Sequence, residues 1–155
     1  VFYGAPGTGK SYTIKEGFKD FNSHIVVFFS EYQNADFIGS IRPVTVDGKI
    51  NYKFKEGPFL IALKDALKNP DKGVVLIIEE LNRGDAAAIF GNYFQLLDRD
   101  ENGQSEYAIS IEDDIINYLS ETSHQEDKLK LPGNFIIAAT MNNSDQSVFP
   151  LDTAL

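Results

Sequence analysis

The sequence predicts a three-layer α/β fold, an αβα sandwich around a mostly parallel sheet. Three observations predict it. Short apolar runs alternate along the chain with segments of helical periodicity, the pattern left by strand–helix–strand units. Residues 74–78 (VVLII) are apolar at every position, as a parallel strand covered on both faces is. A glycine-rich stretch follows the first strand and opens the first helix, where α/β proteins build ligand sites.

The elements follow in order. Residues 1–3 read as the end of a strand, and residues 9–21 as a helix with Ile14 and Phe18 on one face. Residues 24–29 (HIVVFF) read as a buried strand and 35–40 as a short helix. Residues 44–54 read as a β-hairpin. Asp47-Gly48 is a favoured two-residue turn, and Val44, Val46, Ile50, Tyr52 and Phe54 alternate with polar residues around it. Residues 58–68 form an amphipathic pattern with Pro58 in the first turn, ended by Asn69-Pro70. After the strand at 74–78 come a helix at 85–97, a short strand at 107–111, a short helix at 113–120 and a core strand at 135–140 (FIIAAT). No internal repeat or low-complexity tract interrupts them.

Composition narrows the function. A chain of 155 residues with 43% hydrophobic and 24% charged residues suits one globular domain. The absence of cysteine excludes disulfides, thiolate metal sites and cysteine nucleophiles from these residues. No apolar run approaches the roughly 20 residues of a membrane span, and no signal peptide precedes the first motif, so the expected location is cytoplasmic. A net charge of −9 with scattered lysines and arginines makes the segment a poor stand-alone nucleic-acid binder. Both ends read as cut through elements in progress, so the chain is expected to be a fragment, a nucleotide-binding core spanning 1–155.

The chemistry concentrates in three places. Gly4-Ala5-Pro6-Gly7-Thr8-Gly9-Lys10-Ser11 fits the phosphate-binding loop pattern G-x-x-x-x-G-K-[ST]. A phosphate must approach the main chain closely, so side chains are absent at Gly4, Gly7 and Gly9. The backbone N–H groups then converge on the anion at the positive end of the helix that continues through Tyr12. Lys10 supplies a point charge for the β- and γ-phosphates, and the Ser11 hydroxyl is a ligand for Mg²⁺. The second place is the end of the 74–78 strand, where Glu79 and Glu80 stand at the carboxyl edge of the sheet. Glu79 is expected to hold Mg²⁺, through water, and Glu80 to orient or deprotonate the attacking water. The third is Thr140-Met141-Asn142, where an amide at a strand end has both a donor and an acceptor for the γ-phosphate or the water.

In this order the three stretches resemble the AAA+ NTPases, with Walker A, Walker B and sensor 1 across essentially the whole chain. Within that superfamily they resemble the McrB-type subunit of modified-cytosine restriction systems, grouped with the dynein-related AAA subfamily. The residues that carry this are Glu79-Glu80-Leu81-Asn82-Arg83, Phe90-Gly91, Leu96-Leu97 and Met141-Asn142-Asn143-Ser144-Asp145-Gln146-Ser147, with Asp36-Phe37-Ile38-Gly39 and Arg42-Pro43 as a weaker signal. The resemblance implies the large αβα subdomain of an AAA+ module with a hairpin insert, Mg²⁺, and ATP or GTP as substrate. It implies a homo-oligomeric ring, hexameric, a nuclease subunit as partner, and DNA bound through regions outside these residues. Arginine fingers and a helical lid would also lie outside them. Glu79 stands where most relatives have Asp, Asn143 and Ser144 replace Thr and Ala, and Gln146 replaces Arg. The base therefore stays open. An ATP-driven remodeller of the MoxR or dynein-related kind, or a slowly hydrolysing nucleotide switch, are the alternatives.

Other features have plainer readings. His24 and His124 have no partner at metal-ligand spacing, Tyr93 and Phe94 read as core, and Glu112-Asp113-Asp114 as a solvated helix start. Arg83 either balances the carboxylate pair or faces a neighbouring subunit, and the Asp47-Gly48 hairpin is either decoration or a substrate-facing insert.

Overall fold

A computed structural model describes residues 1–4, 9–122 and 124–142. Its centre is a parallel sheet of four strands, β1 (Phe2–Gly4), β2 (Asn22–Val27), β5 (Val74–Glu79) and β8 (Phe135–Asn142), in the order β1-β8-β5-β2. The chain crosses from one edge of the sheet to the other between β1 and β2, then returns strand by strand. All four carboxyl ends therefore lie along one edge, with β1 and β5 flanking β8.

Two apolar layers sandwich the sheet. On one face α1 (Lys10–Gly17) buries Ile14 against Val75, Ile77 and Ala138, with Phe18 and Phe21 packed alongside. On the other face lie α2 (Asn34–Phe37), α3 (Pro58–Lys68) and α4 (Ala86–Phe90). Phe37 is the hub there, with ring centroids 4.8 Å from Phe90 and 5.4 Å from both Phe28 and Phe59. Each fully buried aromatic side chain of this kind is worth about 3–5 kcal/mol against alanine. Val74 to Ile78 are all fully buried, as the unbroken apolar run requires.

Several elements depart from the sequence expectation, each for a local reason. The first helix ends at Gly17 rather than at 21, because Phe18 turns out of helical geometry and stacks edge-to-face on Phe21 at 5.2 Å. The strand expected to be buried at 24–29 is instead the edge strand β2. Val26 and Phe28 point into the core, while Ile25, Val27 and Phe29 are about half exposed, because α1 covers β1 and β8 and leaves that side of the edge open. The helix expected over 85–97 stops at Phe90. Gly91 adopts a left-handed φ of 55°, and the chain continues as a 3₁₀ segment, Gly91–Leu97. Tyr93 and Phe94 are core residues there, as expected.

The hairpin is longer than its alternation suggested. Its arms are β3 (Gly39–Val46) and β4 (Lys49–Glu56), joined by Asp47 and Gly48, both at positive φ. The helix expected at 35–40 forms as α2, and the hairpin takes over only its last two positions, Gly39 and Ser40. Its root is tight: a Cβ on Gly57 would lie 2.2 Å from the Phe37 carbonyl oxygen. A further short pair joins β6 (Ile109–Ser110) to β7 (Lys128–Leu129). The β7 arm was not anticipated, since two residues carry no periodicity. Between them α5 (Asp113–Leu119) forms as the sequence predicts.

Edge strand β2 is tied to α3 by polar contacts. His24 Nε2 lies 2.8 Å from Asp65 Oδ2, while Asn69 and Asn22 donate to Asp65 Oδ1 at 2.8 and 3.3 Å. Partial burial alone would raise the Asp65 pKa, but these hydrogen bonds and the charge of His24 outweigh it and hold the carboxyl below its ordinary value. A depressed carboxyl stabilises the fold above its unfolded pKa, about 3.9, and that contribution is lost as pH falls through the folded value. Asp65→Asn should therefore lower the thermal midpoint near neutral pH, with the gap to the parent closing below about pH 4. Thermal unfolding monitored by circular dichroism across that range tests it.

Candidate functional site

The carboxyl edge of the sheet collects the polar residues that the core excludes. Among the described residues, Asn82, Ser105, Thr140 and Asn142 are the buried polar ones, and three of the four stand here. Ser105 is elsewhere and fully bonded, donating to the Leu96 carbonyl and accepting from Leu131 N–H.

Strand β5 runs straight to Glu79 and then breaks. Glu80 adopts φ 59°, ψ 42°, a left-handed conformation that costs a residue with a Cβ roughly 1–2 kcal/mol. The bend turns its carboxylate across the end of β8. There the Asn142 amide donates from Nδ2 to both Glu80 oxygens, at 2.6 and 2.8 Å. The other end of the same amide accepts from Lys10 Nζ at 2.9 Å. Lysine can only donate and an ionised carboxylate can only accept, so the two neighbours fix which way the amide faces. Lys10, Asn142 and Glu80 thus form one continuous hydrogen-bonded chain from α1 across β8 to β5.

The chain is braced from behind. Asn82, in the 3₁₀ turn Leu81–Arg83, donates to the main-chain carbonyl of Asn142 at 3.0 Å. The Thr140 hydroxyl accepts from Glu80 N–H at 3.3 Å. Arg83 Nε sits 3.4 Å from Glu80 Oε2, so the charge-balancing reading of Arg83 has a contact behind it. The Asn82 Oδ1 is buried and has no partner among the described residues.

Glu79 projects from β5 on the side of α1, where Lys15 Nζ is 4.0 Å from Oε1. Ser11 precedes Lys15 by one helical turn and so shares its side of α1. A hydroxyl and a carboxylate are hard oxygen donors of the kind Mg²⁺ accepts. That ion takes one or two protein ligands and completes its shell with water and phosphate. The described residues contain no cluster of three or more His, Cys, Asp or Glu side chains, as an all-protein metal cage would need. The donor set fits a metal shared with a bound phosphate.

The site can be compared with known proteins on this footing. A family model described as the AAA domain, dynein-related subfamily, matches residues 1–155. The chain belongs to that family. This AAA domain is 44% identical over 182 aligned residues to the Type II restriction enzyme BsuMI component YdiS of Bacillus subtilis (strain 168), covering 99% of this chain and 53% of that protein. It is 26% identical to the Type IV methyl-directed restriction enzyme EcoKMcrB subunit of Escherichia coli (strain K12), covering 100% of this chain and 32% of that one. The McrB-type resemblance read from residues 79–83 and 141–147 is borne out by these relatives. The AAA domain spans about half the length of the first relative, and a third of the second. A crystal structure of a Cytophaga hutchinsonii protein, provisionally named an ATPase, superposes with a TM-score of 0.53 at 19% identity. It covers 97% of this chain and 36% of its own, and supports the fold.

Of the residues singled out in the sequence, Gly9, Lys10, Ser11, Tyr12, Glu79, Glu80 and Asn142 all lie along this edge, and Gly4 pairs with Asn142 in the β1–β8 register. Ala5, Pro6, Gly7 and Thr8 lie outside the described residues, as do Asn143 to Ser147. Tyr12 is largely exposed on the outer side of α1. What the sequence did not reveal was the bracing by Asn82 and Thr140. Both residues were visible in motifs, but their hydrogen bonds join segments about 60 positions apart. Removing the Asn82 amide deletes its hydrogen bond to the Asn142 carbonyl, a loss of about 0.5–1.5 kcal/mol. Asn82→Ala should lower stability by that amount in urea denaturation, and an unchanged midpoint would show that the bond carries no weight.

Proposed function

We propose that this AAA domain binds a nucleoside triphosphate with Mg²⁺ and hydrolyses it, as the motor subunit of a DNA restriction system. The observation that carries the reading is the Lys10–Asn142–Glu80 hydrogen-bonded chain at the carboxyl edge of a parallel sheet. The restriction role rests on the two relatives, both named as parts of restriction enzymes.

The sequence motifs and the geometry of the described residues support a division of labour. The glycine-rich motif at residues 4–11 is read as the phosphate-binding loop, its main-chain N–H groups, Pro6 excepted, being the donors, and the start of α1, through Tyr12, adds the positive end of its dipole. Lys10 has three donor hydrogens, so it can bond phosphate oxygens while still holding Asn142. Ser11 and Glu79 would hold Mg²⁺, which supplies charge neutralisation to the phosphate oxygens. Glu80, pinned by Asn142 and turned across the end of β8 by its left-handed backbone, orients the attacking water and takes its proton. Asn142 touches both the phosphate-binding lysine and the water-activating carboxylate, so it can report one to the other. Most of the acceleration then comes from positioning and electrostatics. These residues meet phosphate and water, so either ATP or GTP satisfies them. A homo-oligomeric ring, hexameric, with a nuclease partner completes the reading, since an arginine from a neighbour would add the remaining positive charge.

Two substitutions test the reading. Lys10→Ala should abolish triphosphate binding in titration calorimetry while the circular dichroism spectrum is preserved, and retained affinity would overturn the phosphate-loop assignment. Glu80→Gln should keep nucleotide and Mg²⁺ binding but cut turnover of ATP or GTP by about 10²-fold or more, the scale of a lost general base. Normal turnover in that variant would remove Glu80 from the chemistry.

A further inference from the structure

We propose that one face of the β3–β4 hairpin is a docking surface for the phosphate backbone of duplex DNA. The hairpin register divides its side chains into two sets. Ser40 pairs with Lys55, Arg42 with Lys53, Val44 with Asn51 and Val46 with Lys49, so these eight side chains share one face. Ile41, Pro43, Thr45, Ile50, Tyr52 and Phe54 share the other. The first face therefore carries Arg42, Lys49, Lys53 and Lys55 and no acidic residue, in a chain whose net charge is −9. The acidic neighbours are Asp47 at the turn, Glu56 at the root, Asp36, which pairs with Arg42 at 3.0 Å, and Glu112 and Asp114, which line a cavity with Ser40 at the root, away from Lys49 and Lys53. No ion pair involves Lys49, Lys53 or Lys55 among the described residues, and all three are exposed.

The shape suits a polyanion. Arms of eight residues extend about 27 Å at roughly 3.4 Å per residue, and alternate residues on one face stand about 6.8 Å apart. A two-stranded ribbon of this width enters or spans a DNA major groove, which is about 12 Å wide. The opposite disposition of charge and aromatic surface favours duplex over single-stranded DNA. Single-strand platforms place stacking rings beside the cations, whereas Tyr52 points away from the lysines. The choice of DNA over an acidic protein rests on the restriction reading, through the relatives. The contact would act in addition to any DNA-binding region elsewhere in the protein.

The test uses the full-length protein and a fluorescent DNA duplex of arbitrary sequence. Anisotropy titrations between about 50 and 200 mM salt yield the slope of log affinity against log salt, which is about 0.9 per phosphate contact. The triple variant Lys49→Gln, Lys53→Gln, Lys55→Gln should flatten that slope by about 2–3 and weaken binding. The triple exchange of the same lysines to Arg should restore it. Ile50→Ser with Tyr52→Ser, on the opposite face, should leave the slope unchanged. An unchanged slope in the glutamine variant overturns the proposal. So does loss of binding to polyglutamate with the DNA slope intact, which would assign the face to an acidic protein. Nucleotide turnover without DNA, measured on the same variants, should match the parent. The nucleotide reading stands or falls separately, on Lys10 and Glu80.

Discussion

The site depends on how a fully buried parallel strand must end. From Val74 to Ile78, β5 offers no polar side chain and is covered on both faces. Its first opportunity to meet water or a ligand is at the carboxyl edge, where Glu79 and Glu80 follow. The pairing of β5 with β8, and of β8 with β1, then decides which groups those carboxylates meet. The register brings the end of β8 level with the start of α1, and a single amide, Asn142, spans the gap between Lys10 and Glu80. The left-handed backbone at Glu80 is the local cost of this arrangement. It persists because Thr140, Asn142 and Arg83 each hold some part of the residue.

The same packing lets a hairpin leave the body without disturbing the site. Its root is gripped by the aromatic cluster around Phe37 and by the close approach of Gly57 to the Phe37 carbonyl. Beyond the root both faces are open, so the side chains of the two arms are free of the demands of the core. That freedom explains how a cationic face can exist in an acidic protein. No buried neighbour requires the lysines, and their charges add up on one side only because the turn pairs Val46 with Lys49. On the sheet itself, the opposite holds: every side chain of β5 is chosen by its surroundings.

How much was legible in the sequence varied with the range of the interaction involved. The α/β class, the helix at 58–68, the strand at the two glutamates and the hairpin turn were all legible, because each rests on local patterning: an apolar run, a 3.6-residue period, or Asp-Gly between alternating arms. Element ends were less so. Gly17 and Gly91 sit inside plausible helical patterns, and only the contacts of Phe18 with Phe21 and the positive φ of Gly91 mark where those helices stop. The exposure of Ile25, Val27 and Phe29 was hidden, because an edge strand and a central strand of similar composition look alike until the strand order is known.

By itself, then, the sequence determined the chemistry available: a glycine-rich loop with Lys10 and Ser11, a carboxylate pair at 79 and 80, and an amide at 142, each recognisable because it sits at the end of a patterned element. Only the tertiary structure decided how they meet. Lys10 and Asn142 are 132 positions apart and Asn142 and Glu80 are 62 apart, yet they share hydrogen bonds of 2.6–2.9 Å. Sequence spacing cannot specify such contacts, because parallel strands are joined by long crossovers and their register is set by the burial of side chains all along the sheet. The two faces of the hairpin were decided in the same way. Alternation within each arm was evident, but which residues of one arm stand beside which of the other depended on the paired backbone.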